Sequence, residues 1–265
     1  MTNIPSWGGT AASALLVAVT IAAAAWAHLG LSRDIVIAAV RAGVQLVAVG
    51  AVLLVLFRTG GAAGALGWVA AMIAVAALVA GRRGRGIPRS VPIAAAGIAI
   101  GTTVTLGSLL ALAVIPARPE VIVPVGGMIV STAMQASALT MLRLAEQAGD
   151  DREQIETRLL LGCTATEAFA AHRRRAARTA LVPAIDSAKV VGLISLPGAM
   201  TGLILAGVDP LTAIRYQIVV MYMLLAATIL AALTSATLTE RTLFDHAHRL
   251  RIPEGPSARR RAQPL

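Results

Sequence analysis

Asp186 and Lys189 stand one helical turn apart beside a long apolar run. The chemistry they offer is a local ion pair that lets a helix enter a membrane neutral, or a charged gate. Met128, Met134 and Met141 recur near one helical face, with Ser131, Gln135 and Ser137 close by. Thioethers are soft ligands suited to copper(I), and they are equally an adaptable apolar lining. Arg41 and Gln45 share a face at i, i+4 and either snorkel to an interface or line a vestibule. Pro197-Gly198, with Thr201 after it, interrupts an apolar run, and Gly198 and Gly202 have the GxxxG spacing of a close-packing face. Kinking for packing and kinking for gating both fit that pattern.

Catalytic constellations are missing. There is no HExxH, and no serine–histidine pairing falls within an apolar run. His28, His172, His246 and His248 lie at span ends or in polar segments, so they predict no metal site. The one cysteine, Cys163, excludes an internal disulfide. A phosphate-binding GxxxxGK[ST] loop needs lysine after glycine; the only lysine, Lys189, follows Ala188. The chain is therefore expected to be no enzyme and to hold no cofactor of its own.

The longest polar insert has a grammar of its own. Residues 150–162 form a polar helix pattern containing Glu156 and ending Leu161-Gly162. Cys163 follows, and Thr164 to Glu167 restarts a helix with a capping-box pattern. Caps fix such a turn, glycine permits close approach, and arginine flanks offer charge to a partner.

These elements sit in a chain that is 57% hydrophobic and 14% charged, with mean hydropathy +0.78. That composition predicts an all-α integral membrane protein. About seven spans of roughly 20 residues are expected, near 10–29, 35–57, 62–80, 91–115, 121–142, 183–206 and 211–238. Arginines crowd the third-to-fourth loop, the insert (145–182) and the C-terminal tail, while the alternate loops are nearly free of them. The positive-inside rule then puts the N-terminus outside and the insert and C-terminus in the cytoplasm, in a multi-pass plasma (inner) membrane protein. A net charge of +10 is accounted for by those loops, and with 3% aromatic residues no nucleic acid is expected as partner. One permease-sized domain covers 1–240. Residues 241–265 form a basic tail, reading as disordered after Ile252 and suited to anionic lipid.

Glu156, Leu161 and Gly162 match the ExxxxLG core of the coupling loop found in many ABC-transporter permeases. Pro124–Val130, Val191–Gly202 and Ala206–Gln217, containing SLPGAMTG and GVDPLTAIRYQ, resemble the UPF0014 family of bacterial iron-export and plant aluminium-tolerance permeases. The resemblance implies a homodimeric permease driven by separate ATPase subunits that bind ATP and Mg, with metal or metal-stress-linked efflux as its role. It implies ATPase coupling through Glu156, Leu161, Gly162, Cys163, Thr164 and Glu167. The expected path or gate comprises Arg41, Gln45, Met128, Ser131, Met134, Gln135, Asp186, Lys189, Pro197, Gly198 and Thr201. An ATP-independent channel or regulatory membrane subunit is the alternative. The chain departs from the family pattern at Ser131-Thr132, where a Gly-Asn pair is usual, and at Leu203, where glutamine is common.

Overall fold

The computed structural model describes residues 7–28, 30, 32–84, 86–194, 196–245 and 249–251. The described residues form helices α1 (Trp7–Trp26), α2 (Ser32–Thr59), α3 (Gly61–Arg83), α4 (Ser90–Ala111) and α5 (Pro119–Asp150). They continue with α6 (Arg152–Leu160), α7 (Ala165–Val190), α8 (Gly198–Leu205) and α9 (Pro210–Leu243). The chain divides into two compact units, Met1–Gly61 and Ala62–Leu265. In the first, α1 and α2 pack on each other. The turn between them uses left-handed backbone at His28 and Gly30.

In the second unit α4, α5 and α9 pack mutually, α7 lies against α5 and α9, and α8 lies against α9. This core is built from small residues, with Ala94, Ala133, Ala231 and Ala232 fully buried. Lipid gives apolar side chains no reason to leave it, so association must come from close backbone approach and dispersion. Gly97 and Gly101 supply that approach. A Cβ on Gly101 would lie 2.9 Å from the carbonyl oxygen of Ala227, and one on Gly97 would meet Ser235 Oγ and Ser137 Oγ. Val69 seats α3 over Gly126 of α5 in the same way.

Among the described residues, five helical segments are long and apolar enough to cross a membrane: residues 35–57, α3, α4, α5 and α9. The expectation of about seven spans, the sixth interrupted at Pro197-Gly198, differs from this at two places. The apolar stretch found in α1, Leu15–Trp26, is shorter than a crossing. The expected sixth span is two helices: α7 ends at Val190 and α8 starts at Gly198. Gly192, at φ 82°, starts the break. Pro197 holds Leu196 out of the helical region and has no N–H to continue a ladder. Among the described residues the break covers 191–194 and 196–197, and it is wider than a kink at Pro197-Gly198.

The insert also differs in extent. Its second helix is the start of a single 26-residue helix that continues through Pro183 to Val190. Its first residues belong to the last turn of α5, because nothing in Leu144–Gln147 breaks a helix. Residues 241–243 close α9, and the chain then folds back, with Arg251 N–H donating to Leu243 O at 2.6 Å. The disordered reading after Ile252, and the pair His246 and His248, lie outside the described residues.

Candidate functional site

The junction of α6 and α7 is set by short-range geometry. Cys163 N–H donates to Arg158 O at 3.1 Å and Gly162 N–H to Leu159 O at 3.0 Å, closing α6. Gly162 has φ 90°, a conformation L side chains rarely adopt. Thr164 then caps α7 reciprocally: Glu167 N–H donates to Thr164 Oγ1 at 3.3 Å, and Thr164 N–H donates to Glu167 Oε2 at 2.9 Å. The Thr164 hydroxyl adds a bond of 2.8 Å to the same oxygen. The Thr164 backbone donor, followed by its hydroxyl, holds the Glu167 carboxyl below the usual carboxylate range. Glu156 is half-exposed and receives Arg152 Nε at 2.7 Å.

The corner has a dry underside and an apolar tip. Ile155 is fully buried, whereas Leu160 is 88% and Leu161 79% exposed. Two bulky aliphatic side chains thus stand out at a corner flanked by charged residues. Leu161 belongs to the expected coupling set; Leu160 does not, although five residues from Ile155 is the spacing that turns a side chain off the buried face.

Three contacts tie the corner to the helices. His172 is buried, stacks on Phe169 at 5.5 Å, and has Nδ1 3.3 Å from Asp151 without hydrogen-bond geometry. Burial pushes the imidazole pKa below its ordinary value, against the opposing pull of Asp151. Phe169 meets Phe244 edge-on at 5.6 Å. Arg173 of α7 donates to Glu240 of α9 at 2.6 Å, and Glu240 is 5% exposed. Removing one partner strands the other, so Arg173→Met and Glu240→Gln are each expected to cost about 2–3 kcal/mol, discounted for the part-exposed guanidinium. Arg173→Met with Glu240→Gln should cost less than their sum, as a double-mutant cycle of unfolding in detergent will read.

Further along α7, two cavities lie against α9. One, of ≈270 Å³, is lined from α5, α7 and α9, including Thr132, Gln135, Ser187 and Thr228. The other, of ≈420 Å³, has Val191, Gly192, Pro197 and Met200 on one side and Gln217 and Tyr222 on the other. Met221 and Leu225 line both. Of the expected path residues, Gln135 lines the first cavity and Pro197 the second.

The others fall elsewhere. Arg41 and Gln45 are exposed on α2, in the first unit. Ser131 is exposed, Met128 and Met134 are half-buried, and Met141 is fully buried. Met128 and Met134 lie six residues apart on α5, about 9 Å along its axis. Asp186 and Lys189 do pair, at 3.2 Å, with both side chains largely exposed. The Thr201 hydroxyl donates to Pro197 O at 3.1 Å. A Cβ added to Gly198 or Gly202 would meet nothing within 4 Å among the described residues, whereas Gly97 and Gly101, at the same spacing, lie close against α9. Among the described residues no group of three or more His, Cys, Asp or Glu is placed to hold a metal ion.

Gln217, Met221, Leu225 and Thr228, which sequence reading missed, line these cavities at intervals of four, four and three residues, a single helical face. That stripe is visible in the sequence. It is hidden among similar residues on the other faces of an apolar helix.

Long apolar helices packed through small residues, with one polar corner between them, define a multi-pass α-helical membrane protein. The family profile described as "Uncharacterised protein family (UPF0014)" matches residues 7–244, and the chain belongs to that family. It is 44% identical over 239 residues to the rice "UPF0014 membrane protein STAR2", covering 90% of this chain and 84% of that protein. To the Escherichia coli "Probable iron export permease protein FetB" it is 37% identical, covering 91% and 93%. To the Arabidopsis thaliana "Protein ALUMINUM SENSITIVE 3" it is 36% identical, covering 91% and 88%. No solved structure matches the chain.

Proposed function

We propose that this chain is the transmembrane permease subunit of an ABC transporter, driven by a separate ATPase subunit and exporting a metal such as iron or a metal-stress-related solute. The observation that carries the reading is the α6–α7 corner. Exposed Leu160 and Leu161 sit at its tip, a left-handed glycine and a capping box fix its shape, and α7 continues it into the helices. Such a corner is a handle for a moving partner. ATP and Mg belong to that partner, and two copies of this chain pair with two ATPase subunits in the plasma (inner) membrane. The N-terminus lies outside and the corner in the cytoplasm, as the arginine distribution favours. About seven crossings are then completed by α1 and by the interrupted α7–α8 segment. The name of the FetB relative supports the permease role and iron export.

The test is MgATP hydrolysis that copurifies with the tagged chain from membranes of its native host. Gly162→Glu forces a charged side chain into φ 90°, and Glu156→Lys replaces an acid beside the tip with a base. Each is expected to lower copurifying hydrolysis at least about tenfold, equivalent to losing about 1.4 kcal/mol of binding. Hydrolysis that copurifies undiminished with both variants would refute the docking assignment.

A further inference from the structure

We infer that the paired cavities along α9 form one binding groove for an uncharged organic solute that joins an amide or hydroxyl group to an apolar body, and that Gln217 anchors it. The inference rests on the permease reading for its biological role, but not for its geometry.

The lining decides the class. Both cavities are walled by hydroxyl, amide, thioether and hydrocarbon groups, with no Asp, Glu, His, Cys, Lys or Arg in either lining. The nearest charges along α7, Asp186 and Lys189, are paired with each other at 3.2 Å. A hard cation such as ferrous or ferric iron needs anionic oxygen or imidazole ligands to replace its water, and an organic anion needs a cation. The groove offers neither. The two volumes, ≈270 and ≈420 Å³ with Met221 and Leu225 lining both, are each of the order of a small-molecule site.

Gln217 gives the groove a demand of its own. Its side chain is 7% exposed, it lines the larger cavity, and Oε1 has no hydrogen-bond partner. A buried amide oxygen is costly to leave unpaired, and an acyl chain lying in the groove would leave it so. A primary amide satisfies it reciprocally, donating N–H to Oε1 and accepting from the glutamine NH₂. A hydroxyl satisfies the oxygen alone. Met200, Met221 and Tyr222 then offer polarizable surface to an aromatic or alkyl body. Gln217 closes the Asp209–Gln217 stretch, whose first residue caps α9 through a bond from Thr212 N–H at 3.1 Å.

The experiment is equilibrium binding of labelled phenylacetamide to the full-length purified chain in lipid nanodiscs, with no ATPase present. Phenylacetamide is expected to bind saturably. Phenylacetate, ferrous iron and silver(I) should not displace it. Gln217→Leu should weaken binding about tenfold, the loss of one buried hydrogen bond. Met221→Trp, at the waist shared by the cavities, should abolish it. The variants' thermal unfolding in the same discs checks that they fold.

Displacement by ferrous iron or silver(I) would overturn the uncharged class. Binding that Gln217→Leu leaves unchanged, or that tracks lipid chain length, would assign the groove to lipid and overturn the anchor. Binding as expected, without ATP-driven movement of the probe in the assembled transporter, would remove the permease reading and leave the site standing.

Discussion

Gly101→Leu is expected to destabilise the folded chain by about 3 kcal/mol, the upper range for overpacking a close-packed interface. The obstacle is backbone: a Cβ at this position lies 2.9 Å from the Ala227 carbonyl oxygen and 3.4 Å from Ala231 Cβ. A flexible side chain can rotate away, but the carbonyl of a long helix cannot. α4 and α9 would have to separate, and with them the dispersion contacts that take the place of a hydrophobic drive in lipid. Gly97→Leu should act in the same direction, through Ser235 and Ser137. Gly107 lies on the same helix with nothing within 4 Å, so Gly107→Leu is the control and should unfold like the parent. Gly198→Ala and Gly202→Ala should likewise leave stability unchanged. Unfolding followed by tryptophan fluorescence in mixed micelles reads all five; a Gly101→Leu protein as stable as the parent defeats the close-approach account.

That contrast shows where sequence was enough and where it was not. The capping box at Thr164–Glu167 and the stop at Gly162 were legible because each is decided within five residues, by hydrogen bonds the backbone must make locally. Asp209-Pro210 opening α9 is of the same kind. A GxxxG spacing carries no such local requirement. Gly198/Gly202 and Gly97/Gly101 look alike as strings, and only the approach of α9 separates the pair that packs from the pair that does not. The sixth apolar stretch is two helices for a related reason. Hydropathy sees 183–206 as one apolar run, while helix continuity depends on Gly192 and on the restraint Pro197 puts on the residue before it. Gln217 was passed over because an amide in an apolar helix draws attention only once its oxygen is found buried and unpaired.

The length of α7 carries the other large expectation. At 1.5 Å per residue, its 26 residues span about 39 Å from the capped corner to the break after Val190, passing the groove on the way. Ala176, Ala177 and Ala180 bury one side of it, and Arg173 fastens it to Glu240. If a partner moves the corner, this rod is what delivers the movement to the break after Val190, so its stiffness sets the coupling. Arg174 and Arg178 lie on its exposed side, one turn apart. Replacing both with glycine lowers helix propensity by about 1 kcal/mol at each position and removes two charges. Replacing both with alanine removes the same charges and keeps the helix stiff. Copurification of the ATPase is expected to survive the glycine pair, since the Leu160–Leu161 tip is untouched, while solute-stimulated hydrolysis falls about tenfold or more. The alanine pair should stay within about twofold of the parent on both measures. Equal losses from the two pairs would assign the effect to charge at the partner surface and rule out α7 as the transmitting rod. Retention of stimulated hydrolysis by the glycine pair would mean that the corner's movement reaches the groove through the α6–α5 junction, where Asp151 faces His172.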